Sequence, residues 1–163
     1  MAFAEGAHDG VMIEVVTTQA QLEECYAVRF EVFVEEQKVP ADEELDALDV
    51  AETTTHVLAR DATGRAVGTA RLLTAAEHPG VVHVGRVAVR AVARGTHVGV
   101  ALMEALHGLA LETCAVDGVV RCELSAQRQA FGFYERLGYT VVGDFYLDAG
   151  IEHKDAWIEL RRA

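Results

Sequence analysis

The stretch VVHVGRVAVRAVARGTHVGVALMEALHGLAL, Val81 to Leu111, decides how this chain folds. It reads as a buried strand, a short turn carrying Arg and Gly, and an amphipathic helix. Val82 and Val84 carry one phase of alternation, and Val87 and Val89 carry the opposite one. Strand side chains alternate with a period of two, so a change of phase at Gly85-Arg86 means one inserted residue, a β-bulge. The turn is Ala93-Arg94-Gly95-Thr96-His97-Val98-Gly99, and the helix behind it places Val98, Leu102, Leu106 and Leu109 on one face. The first amides of such a helix lack intrahelical acceptors, and the helix dipole favours an anion beside them. Gly95 and Gly99 let a bulky anion approach the backbone, while Arg94 adds a permanent, forked positive charge.

The rest of the composition bounds the answer. A chain of 163 residues can build one domain with a full core, and 51% hydrophobic with 25% charged residues is ordinary globular composition. The formal net charge of −12 argues against nucleic-acid binding, so Arg94 must gather a polyanion against the field of the whole molecule. An acidic surface suits a cationic substrate, and it also serves solubility. The cysteines, Cys25, Cys114 and Cys122, are odd in number and far apart, which argues against a disulfide framework. Neither they nor the seven histidines show zinc spacing, so no metal is expected. There is no signal peptide and no apolar run of bilayer length; a cytoplasmic protein without a membrane partner is expected.

Met1 to Gly10 read as a disordered leader, and residues 11–163 as a single domain. Val11 to Val16 is the first strand, and Thr17 or Thr18 caps a helix running to about Gln37, ended before Pro40. The acidic run from Asp42 to Asp49 reads either as a solvated loop or as a lip that attracts an amine; it lacks the register of a calcium loop. His56–Asp61 and Ala66–Leu73 form a hairpin that leads through Glu77-His78-Pro79-Gly80 into the Val81 strand. Beyond the central helix, Val119–Ser125 is a strand that a right-handed crossover makes parallel to the Val81 strand. A helix from Ala126 to Leu137 is capped by Gly138. Strands from Tyr139 to Val142, Asp144 to Leu147 and His153 to Leu160 finish the chain. An open sheet of this kind takes its ligand at the carboxyl ends of its strands, where the Arg94 turn lies.

Two segments resemble signatures of the GNAT acetyltransferase superfamily. The turn Arg94, Gly95-Thr96, His97, Val98, Gly99 follows the pattern Arg or Gln, two residues, Gly, one residue, Gly or Ala, with His97 in place of the first Gly. Ala130-Phe131-Gly132-Phe133-Tyr134-Glu135-Arg136-Leu137-Gly138-Tyr139 resembles the second signature, and it follows the first in the right order and separation. Arg29 to Gln37 (RFEVFVEEQ) and Gly150-Ile151-Glu152-His153 are similar to elements of one bacterial branch, the latter with Glu152 for Pro. The resemblance spans Val11 to Leu160.

The resemblance implies a mixed, mostly antiparallel sheet of about six or seven strands with helices on both faces, an α/β (α+β) domain with one parallel pair at an acyl-CoA site. It implies transfer of an acetyl group from acetyl-CoA, as co-substrate, to a primary amine of a small molecule or peptide. The pyrophosphate would lie on Arg94, Gly95, Thr96, His97, Val98, Gly99 and Val100, and pantetheine would pair with the backbone of Val87, Ala88 and Val89, one of whose amides could hold the oxyanion. Tyr134 is, by family position, the candidate proton donor to the leaving thiolate. Glu123 and His83, on the two splayed strands, are the candidate bases; His153 is a third option, with a structural hydrogen bond as its alternative reading. Cys122 is not assigned as a nucleophile, because direct transfer needs no acyl-enzyme. Homodimers are common in the superfamily, but no surface stripe in this sequence identifies one. A second function class is a non-catalytic acyl-CoA sensor, in which Tyr134→Phe would be silent. Acyl-homoserine-lactone synthesis, on the same fold, lacks its longer chain and distinct acidic motif here.

Overall fold

The computed structural model describes residues 2–8 and 10–163, with side chains from Gly10 onward. From Val11 the chain supplies seven strands: β2 Val11–Val15, β3 Thr54–Arg60, β4 Ala66–Thr74, β5 Val81–Val89, β6 Val119–Gln127, β7 Thr140–Asp148 and β8 Ile151–Arg161. Ahead of them, where a disordered leader was expected, the backbone of Ala2–His8 pairs antiparallel with β2 as β1; Met1 and Asp9 lie outside the described residues. All belong to one sheet in the order β1-β2-β3-β4-β5-β6-β8-β7. Among the described residues only β5 and β6 pair in parallel, as a strand–helix–strand crossover requires.

Four α-helices accompany the sheet: α1 Gln19–Arg29, α2 Ala41–Glu44, α3 Val98–Cys114 and α4 Phe131–Arg136. Thr18 caps α1 through a reciprocal box, accepting from Gln21 N–H at 3.2 Å while Gln21 Oε1 accepts from Thr18 N–H at 3.0 Å. α3 buries Leu102, Met103 and Leu106 against Val57, Leu72, Val84 and Val120 of the sheet. α1 and the turn that continues it cover the other face, packing Val28 of α1 and Val32 beyond its end against Ala88. Gly68 has no room for a side chain, because a Cβ would lie 2.8 Å from Val98 Cγ1.

Three local expectations are corrected. The first helix does not run unbroken to Gln37: from Phe30 to Glu36 it winds as a π-helix, with Gln37 N–H reaching Val32 O at 3.1 Å. The stretch after Ser125 stays extended to Gln127, because its backbone still pairs with β8 as far as His153; only Phe131–Arg136 is α-helical. The two short strands expected from Tyr139 to Leu147 are one strand, β7, whose register against β8 shifts between Val142 and Tyr146, where Gly143 takes φ +82°.

The acidic run is not a solvated loop. Glu44 and Asp49 are 3% and 4% exposed, and both meet Arg29, itself 1% exposed. Arg29 donates to Glu44 at 2.8 Å and to both oxygens of Asp49 at 2.7 and 3.1 Å. Arg71 adds bonds to Asp49 and Asp46 at 2.8 Å. Arg86 binds the Glu44 carbonyl at 3.1 Å. Burial pushes the Asp49 carboxyl up, but the bonds from Arg29, the Asp46 amide and Arg71 outweigh it and hold its pKa at about 2. Burial raises that of Glu44.

Arg29→Met takes the shortest ion pair from each of two buried carboxylates, leaving Asp49 to Arg71 and Glu44 to Arg86, and is expected to cost about 3 kcal/mol in urea unfolding. The depressed Asp49 contributes stability above its unfolded pKa of about 4, and this is lost as pH falls through about 2. Asp46 acts in the same sense and Glu44 against it. The urea midpoint is therefore expected to fall between pH 4 and pH 2, and to fall less in Arg29→Met.

Candidate functional site

The bulge lies where the phase of the valines changes. Thr69 pairs with Ala88 and Arg71 with Gly85, so β5 carries one more residue than β4 between these pairs. Arg86 takes φ +51°, a left-handed conformation that L side chains rarely adopt. β5 and β6 remain paired only from Val81↔Arg121 to Val84↔Leu124, and beyond Val84 they part. Arg90 N–H turns towards β4, donating to Val67 O at 2.8 Å. Alternation then turns the N–H groups of Val89 and Val87 the other way, into the fork. A strand edge with free amides is thus open to an extended, peptide-like ligand.

The loop after β5 has the backbone features expected of an anion site. The first amide bond of α3 runs from Ala101 N–H to His97 O at 3.0 Å, and among the described residues no backbone carbonyl accepts from the amides of Gly95 to Val100. Gly95 takes φ +80°. His97 is the α3 N-cap at φ 64°, ψ 14°, so it holds the left-handed turn that a glycine takes without cost. Gly99 serves packing as well: a Cβ there would stand 3.1 Å from the Phe133 ring. Arg94 is engaged on both sides, donating to Val89 O at 3.1 Å and pairing with Glu36 at 2.8 Å. The parallel pair Arg90–Glu31, at 2.9 Å, also ties this loop to the π-helical segment.

A cavity of about 690 Å³ opens from the fork towards α2 and the β7–β8 hairpin. Tyr134 lines it at 7% exposure; its hydroxyl has no partner among the described residues, and burial pushes its pKa up to about 12. Tyr134 is therefore fully protonated at neutral pH, a donor and not a base. His153 lines the cavity as well, 7% exposed. Its Nδ1 lies 2.7 Å from Ile151 O, and its ring stacks on Tyr146 at 5.9 Å. A carbonyl can only accept, so Nδ1 carries the proton and Nε2 keeps a lone pair for the cavity.

The two expected bases stand side by side, His83 opposite Glu123 across β5 and β6. His83 lines the cavity with its ring open to solvent. The surrounding walls lower its pKa, opposed by the charges of Glu123 and Asp155. Glu123 is not among the cavity-lining residues and is held by Arg121 at 2.8 Å, with Arg121 stacked on Trp157. The structure thus brings Tyr134, His83 and the backbone of Val87 to one cavity, and His153 joins them where sequence reasoning placed it third. A chain that sequence reasoning missed runs from Ser125 Oγ to Tyr146 OH to Asp155, the last step at 2.8 Å. Burial pushes the Cys122 thiol up to about 12, so it is no nucleophile. Among the described residues no group of His, Cys, Asp and Glu is placed to hold a metal ion, and no helix is long and apolar enough to cross a membrane.

The family profile described as Acetyltransferase (GNAT) domain matches residues 16–160. The Bacillus subtilis protein described as "Uncharacterized N-acetyltransferase YjcF" is 36% identical over 141 residues, 85% of this chain and 93% of that protein. An acyl-CoA N-acyltransferase from Pseudomonas aeruginosa superposes with a TM-score of 0.78 at 32% identity, over 90% of this chain and 98% of that one. Escherichia coli ElaA gives a TM-score of 0.78 at 26% identity, over 90% and 98%.

Left-handed His97 sets a testable cost. His97→Gly is expected to unfold at the same or higher urea concentration than the parent, and His97→Val to lose about 1 kcal/mol or more.

Proposed function

Because this chain belongs to the GNAT acetyltransferase family and is an N-acetyltransferase by class, we propose that it transfers an acetyl group from acetyl-CoA directly to a primary amine. One observation carries this reading: Val87 of the forked edge and the unpartnered Tyr134 hydroxyl line one cavity, and the strand that carries Val87 runs on into the open amides of Gly95–Val100. Pantetheine pairs along the fork, and the pyrophosphate takes the loop amides. The thioester then lies near Tyr134, with Val87 N–H as the oxyanion donor.

His153 Nε2 takes one proton from the incoming ammonium, giving a neutral amine. Its lone pair attacks the thioester carbon, and the C–N bond forms. As the intermediate collapses the C–S bond breaks, the thiolate takes the Tyr134 proton, and the amide nitrogen returns its own proton to that oxygen. His153 passes the first proton to water. His83, open to solvent beside Glu123, is the alternative base. The loop keeps its shape without the usual glycine, since His97 supplies the left-handed turn; this favours a working site over a silent sensor.

Coenzyme A and acetyl-CoA are expected to stabilise the fold by about 2.7 kcal/mol at a hundred times Kd, with ATP well below them. Tyr134→Phe is expected to lower kcat about a hundredfold with the Kd for coenzyme A unchanged, and His153→Gln to lower kcat similarly. Stabilisation by neither thioester nor thiol, or a fully active Tyr134→Phe, overturns the reading. Glu36→Gln frees Arg94 and is expected to tighten coenzyme A binding by up to about fivefold, the worth of an exposed ion pair.

A further inference from the structure

The cavity carries an uneven set of charges. Its lining cations are Arg71 and Arg86, and both are occupied: Arg71 by Asp46 and Asp49, Arg86 by the Glu44 carbonyl and by Glu44 and Asp46 carboxylates. Arg71 Nε, which has no partner, is buried beneath these contacts and out of reach of a ligand. Glu44 and Asp46 are consumed by the same pairs. Three lining carboxylates remain, Asp42, Glu43 and Asp148, and no ion pair or side-chain hydrogen bond to their oxygens exists among the described residues. They come from two separate segments, α2 and the tip of the β7–β8 hairpin.

A second observation points to a ligand in the same space. Tyr134 and His153 are each 7% exposed, and each presents an unpartnered polar atom to this cavity. The same lining also includes the apolar side chains Val39, Leu45, Leu48 and Ile151. Leu45 and Leu48 are half exposed at 50% and 45%, a surface that a methylene chain would cover.

We propose that the acceptor is a linear aliphatic diamine, with one amino group reacting at Tyr134 and His153 and the second ammonium held by Asp42, Glu43 and Asp148. This rests on the acetyltransferase reading above and names the acceptor for that cavity. An amino acid is disfavoured, because its carboxylate would meet unpaired acids and find no free cation. A monoamine fills the inner site and leaves the mouth unused. Carboxylates in a cleft act on a cation through weakly screened space, so the preference weakens with salt.

The test uses three acceptors of matched chain length: putrescine, butylamine and γ-aminobutyrate. With acetyl-CoA, kcat/KM for putrescine is expected to exceed that for butylamine by about tenfold or more, mainly through KM. γ-Aminobutyrate should be the poorest, and the ratio should shrink between low and high salt. The triple variant Asp42→Asn, Glu43→Gln, Asp148→Asn is expected to bring the putrescine-to-butylamine ratio to about one. A urea midpoint confirms that the variant folds. Butylamine or γ-aminobutyrate turned over as well as putrescine, or an unchanged ratio in the triple variant, overturns the proposal. Calorimetric titration of putrescine and butylamine into the protein saturated with coenzyme A reads the same preference without turnover. Tighter putrescine binding with no acetylation of any amine would retain the diamine site and reject the acetyl-transfer reading. No putrescine binding would reject the diamine site, even where butylamine is acetylated.

Discussion

One inserted residue in β5 governs the site. Without it, β5 and β6 would pair along their length and the backbone of Val87 to Val89 would have no room for a ligand. Arg86 holds the bulge in a left-handed conformation, which costs about 1–2 kcal/mol for a residue with a side chain. Its guanidinium is fixed to the Glu44 carbonyl and reaches the Glu44 and Asp46 carboxylates, so a segment that lines the cavity also clamps the residue that opens the fork. His97 repeats the pattern one turn further on, at the head of α3. Two residues with side chains thus take left-handed backbone, one at the fork and one at the head of α3.

The charge distribution has two parts. Inside, Arg29, Arg71 and Arg86 neutralise Glu44, Asp46 and Asp49 in a connected network between α1, the acidic segment and the bulge. Breaking such a network leaves a buried charge uncompensated, so it fixes geometry more than it adds net stability. Outside, Glu31 and Glu36 of the π-helical segment hold Arg90 and Arg94. The reciprocal amide pair between Gln37 and Gln127, at 3.1 and 2.8 Å, ties the end of that segment to the end of β6. The wide π winding brings Glu31, Glu36 and Gln37 to partners on the far side of the fork. A net charge of −12 does not oppose the proposed anion site, because the open amides and Arg94 would act at contact distance.

Much of this was legible in the sequence, because periodicity carries it. The valine phase change located the bulge to the residue, and strand–turn–helix–strand gave the parallel pair. Tyr134 was named through resemblance alone, and it lines the cavity. The insertion of β8 between β6 and β7 was not, since two consecutive strands fix their mutual turn and not their order in the sheet. The π winding at Phe30 was hidden because FEVFVEE fits α-helical spacing equally well. The acidic run read as solvated because its partners, Arg29, Arg71 and Arg86, lie far away in sequence. His153 was visible only as a residue type; the Ile151 carbonyl that sets its tautomer is a feature of the folded hairpin.

The central claim is that the fork and the loop behind it form one acyl-CoA site. Amide hydrogen exchange of the protein with and without saturating coenzyme A tests it most directly. Slowed exchange is expected at Val87, Val89 and Gly95 to Val100, with the paired amides of β3 unchanged. Binding of coenzyme A with no added protection along Val87–Val89 would contradict the claim.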